Sequence, residues 1–477
     1  MQREKEKFPS SKYLKLLSDT GIFVIGNFLA KLILYFMLPF YTSVMTAEVY
    51  GTAELLNNLS DMLFPIVTLS IYEAVFRFAV DRDQNLNALL YESTALLSKL
   101  FLGLFVVVLL VQHFMRYAFT FELFFVLLTL SFRMLFANYA RGSGYTKCFS
   151  LSGVVNALAI AGFSWLFLVH FNLGVKGYLL ALGCAHITSI LTLFIGAHIP
   201  RRILARERDR DLLMSMLHFS VPLILNNIAW WVTSISGRYI VLFSYGAAMA
   251  GLYTAANKLQ AVISVVSQVF QQAWQLNSAQ EYQNEDYNKF FENVWKLYLV
   301  FIFLFGSIVV ATTPMLAQIT LKNEFYNARF YIPMMMLAVI ISSLSAFFGS
   351  LIIVYKKTKI AMRGMLLGAI VNLLVAIFLV RPLGVWGVLI ASILCYLIIL
   401  MHRMLYIKKR FPMNIHLEIM IPLFLMLVVE VILMSFDCMT CQWIGGMLCI
   451  VMFVYSIIHF RTVWKSLINK VKKYINK

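Results

Sequence analysis

The sequence predicts an all-α polytopic membrane protein of about fourteen transmembrane helices, two parallel six-helix lobes plus two C-terminal helices. Three observations predict it. Apolar segments recur along the whole chain, each near the roughly 20 residues that cross a hydrocarbon core. Lys and Arg collect in every second gap between them, the pattern of short cytoplasmic loops. A motif in the first half returns about 210 residues later, the mark of an internally duplicated transporter fold.

The elements follow in order. The tail 1–17 carries Arg3, Lys5, Lys7, Lys12 and Lys15, which places it in the cytoplasm. Its charge and the length of the first apolar run predict no cleavable signal peptide. The first lobe, 18–200, holds apolar segments at 18–41, 50–80, 93–112, 118–140, 150–170 and 175–199. A basic linker, 201–213, carries Arg201, Arg202, Arg206, Arg208 and Arg210. The second lobe, 214–410, holds segments at 214–242, 250–276, 295–318, 331–354, 361–380 and 384–406. Lys408, Lys409, Arg410 and Pro412 then mark a break. Two further helices, 418–436 and 443–460, occupy 411–460, and a basic cytoplasmic tail, 461–477, follows. Both termini therefore lie on the cytoplasmic side, which requires an even number of spans.

The duplication is clearest where Leu173-Gly174-Val175-Lys176-Gly177-Tyr178-Leu179-Leu180-Ala181 meets Leu383-Gly384-Val385-Trp386-Gly387-Val388-Leu389-Ile390-Ala391, with six of nine positions identical. Each copy spans an even number of segments, so the copies are parallel.

Composition excludes other classes. The chain is 61% hydrophobic and 13% charged, with mean hydropathy +0.81. A soluble domain needs far more polar surface. The net charge of +18 is spread over short membrane-flanking loops, which argues for anionic membrane lipid as partner and against nucleic acid. No phosphate-binding glycine loop and no metal-binding motif appears, so no cofactor and no metal are predicted. Cys438 and Cys441 form a CxxC in a gap predicted to face outward, either a disulfide or two unrelated small residues.

Polar residues inside apolar helices are costly and face protein or water. In the second segment Glu54, Asn58, Asp61, Pro65, Thr68 and Tyr72 recur at three- and four-residue steps, on one helical face. The first segment offers Asn27, Lys31 and Tyr35; the seventh, Asn227, Trp231, Ser234 and Arg238; the eighth, Thr254, Lys258, Gln268 and Gln272. One hydrated cavity lined by these four segments explains them; interhelical hydrogen bonding is the alternative. Lys31, Arg133, Arg238 and Lys258 are the candidate cations for an anionic substrate such as a diphosphate. Glu54 and Asp61 are candidates to carry a coupling proton or sodium ion, or to pair with those lysines. Glu73 and Arg77, four apart near the cytoplasmic end, form a local helix pair or guard the cytoplasmic mouth.

Several stretches resemble bacterial polysaccharide exporters of the lipid-linked oligosaccharide (O-antigen) flippase type. They are Met37-Leu38-Pro39-Phe40-Tyr41-Thr42, Tyr50-Gly51 and Ser70-Ile71-Tyr72-Glu73-Ala74-Val75-Phe76-Arg77-Phe78 in the first half. Ala140-Arg141-Gly142-Ser143-Gly144-Tyr145-Thr146-Lys147 continues it, then Phe219-Ser220-Val221-Pro222, Arg238-Tyr239-Ile240 and Leu252-Tyr253-Thr254-Ala255-Ala256-Asn257-Lys258. The resemblance covers about 15–410. It implies a two-lobed fold with a cationic cavity in the bacterial inner membrane. It also implies transport of undecaprenyl-diphosphate-linked oligosaccharide to the outer leaflet, with ion coupling and with polysaccharide polymerase and chain-length machinery as partners. The family commonly has Asp where this chain has Gly237, which removes a charge partner from Arg238. A multidrug or cation antiporter of the same superfamily is the first rival. A membrane glycosyltransferase or polymerase is the second, but the sequence lacks the sizeable outward loop such an enzyme needs.

Overall fold

The structure, a computed structural model, describes residues 33–80, 84–281, 287–354, 358–410, 414–436 and 438–459. Lys31 and the tails 1–17 and 461–477 lie outside the described residues. Within them the chain is helical, without strands, and the all-α polytopic expectation holds. Eleven helices among the described residues are long and apolar enough to cross a membrane, or up to twelve with one bent pair counted as a span. The sequence predicts fourteen, and two local facts account for the difference. Only Ile33–Val44 of the first segment is described. Across the seventh and eighth segments one window qualifies among the described residues, Ser234–Gln260.

The chain divides into two compact units, Met1–Val232 and Thr233–Lys477. In the first, α1 (Ile33–Val44) leads into α2 (Ala47–Val67). Thr46 caps α2 by accepting from the Val49 N–H at 3.3 Å, and Glu48 sits in the first turn, where the helix dipole favours an acid. The single long second segment expected from sequence is in fact two helices. Pro65 removes a backbone donor. Leu69 and Ser70 then take left-handed φ of 52° and 51°, and α3 (Ile71–Ala79) leaves at 64° to α2. Tyr72 therefore does not continue the α2 face.

After α3 come α4 (Leu86–Met115), α5 (Thr120–Gly142), α6 (Thr146–Ser164, continued by a π-helical turn Trp165–His170), α7 (Gly174–Gly196) and α8 (Ile199–Leu204). Leu89, Leu97, Phe101, Leu135, Phe136 and Leu193 form the core. The opposite face of α4 exposes Leu102, Val106, Leu110 and Phe114, one every four residues. Such a stripe suits hydrocarbon, not water.

The long helix α9 (Arg210–Glu281) is two helices joined at Gly246, where φ is 81° and ψ 178°. That break falls in the gap predicted between the seventh and eighth segments. The second unit continues with α10 (Tyr287–Ala311), α11 (Thr313–Thr320), a 3-10 turn (Asn323–Phe330), α12 (Ile332–Val354), α13 (Thr358–Leu383), α14 (Val385–Arg410), α15 (Leu417–Met434) and α16 (Met439–His459). The centre is α12, the most deeply buried span, with α10, α14 and α15 against it. Its Phe347 stacks on Trp274 at 4.7 Å, and its Phe348 lies 4.6 Å from Trp295. The Trp295 indole donates to the Ile415 carbonyl at 2.8 Å, fixing the chain just before α15.

The two motif copies share a backbone device. Gly174 and Gly384 both adopt left-handed φ, 53° and 62°, at the turn into α7 and α14. Three residues on, a Cβ at Gly177 would stand 3.0 Å from the Phe167 carbonyl oxygen, and one at Gly387 would meet the Leu379 carbonyl. Glycine is needed at each place, first for φ and then for close backbone approach.

Candidate functional site

The polar face of α2 divides into two environments. Glu54 is buried, 2% exposed. Its Oε1 accepts from the Tyr178 hydroxyl at 2.7 Å and from the Tyr50 hydroxyl at 3.3 Å. Tyr41 completes the cluster, its ring 5.1 Å from Tyr178 and 6.0 Å from Tyr50, with its hydroxyl 3.0 Å from Ser164 Oγ. Two turns further on, Asp61 is exposed. It is the acid whose field reaches Arg133 on α5. Arg133 is half-buried; its Nη2 lies 3.9 Å from Met134 Sδ, and its Nε has no hydrogen-bond partner among the described residues. A guanidinium held this loosely keeps donors for a ligand. His186 of α7 lies within the same field, 3.3 Å from the Thr129 hydroxyl. Among the described contacts, Asp61 thus acts on Arg133, and Glu54 accepts from tyrosine hydroxyls.

Glu73, half-buried, and Arg77, exposed, lie on α3 beyond the bend. The bend itself is held by α9. The Asn227 amide donates to Tyr72 Oη at 3.2 Å and to Ser70 Oγ at 3.4 Å, and the Trp231 indole donates to the Asn58 carbonyl at 3.0 Å.

The second unit contains a polar cavity of about 420 Å³. Arg238, Asn257, Gln260, Gln268, Gln271 and Ser343 contribute to its wall, and among the described residues no Asp or Glu lines it. Lys258, half-buried on α9, is not part of that wall. A Cβ at Gly237 would stand 3.0 Å from both Tyr253 Oη and Val388 Cγ1, a tight approach that those side chains would have to ease by a few tenths of an ångström.

Sequence reasoning missed the tyrosines around Glu54. Tyr50, one turn before it, carried a readable signal; Tyr178, 124 residues away, carried none. Gln260, Gln271 and Ser343 were also missed, because amides and hydroxyls spread over α9 and α12 make no motif. Cys438 and Cys441 are free thiols. Cys438 Sγ lies 2.8 Å from Thr440 Oγ1, and that contact together with hydrogen bonds to Cys441 lowers its pKa to about 7.

Residues 16–274 match the family described as polysaccharide biosynthesis protein. The chain belongs to that family. The resemblance read from the motifs is therefore borne out. No curated protein sequence matches the chain. Among solved structures, the polysaccharide biosynthesis protein is similar to the lipid II flippase MurJ in an inward closed conformation, with TM-score 0.68 and 14% identity over 92% of this chain and 99% of that one. It is also similar to an inward-facing multidrug resistance MATE family transporter of the MOP superfamily, with TM-score 0.59 and 13% identity over 81% and 98%. A third is a MOP superfamily transporter from Pyrococcus furiosus Vc1, with TM-score 0.54 and 14% identity over 82% and 96%. These likenesses show the fold. The protein is a multi-pass membrane protein of the polysaccharide biosynthesis family, with a fold similar to those of the MurJ and MATE structures.

Proposed function

We propose that this protein flips undecaprenyl-diphosphate-linked oligosaccharide from the cytoplasmic to the outer leaflet of the bacterial inner membrane. The product feeds surface polysaccharide such as O-antigen, capsule or lipopolysaccharide. The observation that carries this reading is the coincidence of a polysaccharide-biosynthesis family match over 16–274 with a MOP transporter fold over most of the chain. A glycan diphosphate cannot cross hydrocarbon unaided, since each unpaired polar group costs kcal/mol on transfer. A transporter fold that alternately exposes polar cavities removes that barrier. Arg133 is the described cation we assign to the diphosphate of the substrate. Asp61, exposed and acting on Arg133, is the better placed of the two carboxylates for ion coupling. The acid-free wall of the second-unit cavity disfavours an organic-cation substrate.

Reconstituted protein should move labelled lipid-linked oligosaccharide between leaflets. Arg133→Ala should slow that movement at least tenfold, and Arg133→Lys should retain part of it, because charge is kept while the fork geometry is lost. Normal rates in Arg133→Ala would remove Arg133 from the site. No movement by the parent protein in any imposed proton or sodium gradient would remove the flippase reading.

Orientation follows from the basic gaps and is tested at Cys438. In a variant keeping only that cysteine, an impermeant maleimide should label intact cells, because the gap is assigned to the outer side. The rate should rise with pH, since the thiolate is the reacting form and the Thr440 contact favours it. Labelling only after permeabilisation would reverse the topology.

A further inference from the structure

The second-unit cavity differs in chemistry from a diphosphate site. Four of its wall residues are carboxamides, Asn257, Gln260, Gln268 and Gln271, and one, Arg238, is cationic. Five serines, Ser264 and Ser343 among them, and Tyr396 supply hydroxyls. A carboxamide offers two donors and an acceptor with two lone pairs, and a hydroxyl offers both roles. Such a wall presents donors and acceptors in alternation with little net charge. A diphosphate calls for several clustered cations and gains little from acceptor oxygens. An organic cation calls for carboxylates or open aromatic faces. A pyranose ring, with neighbouring hydroxyls and often an acetamido group, matches donor to acceptor at each position.

Size and support agree. About 420 Å³ lies toward the lower end of the roughly 300–1,000 Å³ typical of small-ligand sites. It suits one or two sugar residues and not a whole lipid-linked glycan. The wall is also braced from behind. Tyr298 Oη lies 2.9 Å from Ser267 Oγ and donates to the Ser343 carbonyl at 3.1 Å, and Ser350 Oγ lies 2.9 Å from the Gln271 carboxamide. Asn257 and Gln260 hydrogen-bond each other along α9. Polar groups fixed in this way discriminate, because a ligand lacking the matching hydroxyl leaves buried groups unpaired.

We propose that this cavity is a sugar-binding subsite for a neutral, hydroxyl- or acetamido-bearing residue of the transported glycan. The proposal rests on the lipid-linked oligosaccharide reading above and adds that headgroup and glycan are recognised at separate places. The test uses the full chain in nanodiscs and two probes: undecaprenyl diphosphate without sugar, and lipid-linked oligosaccharide purified from the source cell. The parent protein should bind the glycan-bearing probe at least tenfold more tightly than the bare one. Gln268→Leu combined with Ser264→Ala should bring that ratio close to one while leaving affinity for undecaprenyl diphosphate unchanged. A thermal midpoint equal to the parent's confirms the fold; if the pair unfolds, Gln268→Met alone is measured in its place. A ratio near one in the parent, or an unchanged ratio in the variant, overturns the sugar subsite and leaves the flippase reading standing. Failure of the parent to bind either probe overturns both.

Discussion

Gly387→Ala should destabilise the protein by about 3 kcal/mol, at the upper end of what overpacking a closed site costs. The added methyl would meet the carbonyl oxygen and carbon of Leu379. These are backbone atoms of α13, which cannot rotate away as a side chain would, so α13 and α14 must separate. These two helices share the most extensive helix–helix packing in the second unit, and the loss is shared along them. Gly446→Ala is the control, since nothing lies within 4 Å of a Cβ there; a helix interior slightly prefers Ala. Gly177→Ala should fall between, because the Phe167 carbonyl oxygen is 3.0 Å away and has to give only slightly. Thermal midpoints in detergent, read by tryptophan fluorescence, rank the three variants. A midpoint for Gly387→Ala equal to the parent's would show that α13 and α14 do not pack at the separation described.

The second large effect is expected at Glu54. Glu54→Ala removes the acceptor for two tyrosine hydroxyls, Tyr50 and Tyr178, both in buried surroundings. Each buried hydroxyl left unpaired costs about 1–3 kcal/mol, and the vacated volume adds to that. A loss of about 3 kcal/mol or more, with glycan export abolished, is the expected result. Glu54→Gln keeps an acceptor oxygen at nearly the same position and should lose about 1 kcal/mol or less. The pair of variants separates two roles. If Glu54 only pins α2 to α7, Gln supports export. If export fails in Glu54→Gln while its thermal midpoint stays at the parent's, the carboxylate takes part in coupling and the structural account is wrong.

Much of the fold was readable because membrane helices declare themselves by length and apolarity. The gap before α10, the turn at Gly246 and the break before α15 follow from composition alone. The break between α2 and α3 was not readable in detail. Pro65 signalled a bend, but Leu69 and Ser70 are poor candidates for left-handed backbone; local bonds to the Ile66 and Pro65 carbonyls and the distant Asn227 amide together support the turn. The candidate site shows the same division. Helical periodicity placed Glu54 and Asp61 on one face of α2 and was right about the face. It gave both the same environment, whereas one is enclosed by tyrosines and the other is exposed, because burial depends on α5 and α7, which the local pattern does not contain. The duplicated motif was legible as letters; its physical content, a left-handed glycine followed by a close-approach glycine, needed the backbone.

The 64° bend between α2 and α3 has a mechanical consequence. With 21 residues at 1.5 Å each, α2 is a lever about 31 Å long whose pivot is the Leu69–Ser70 turn. A swing of about 10° at that pivot would carry the Thr46 end sideways by about 5 Å, more than the reach of any hydrogen bond along its length. Any change of contact at Asn227 that turned α2 about this pivot, against the Glu54–Tyr178 bond that ties it to α7, would be read at the Thr46 end as a displacement the size of a helix turn.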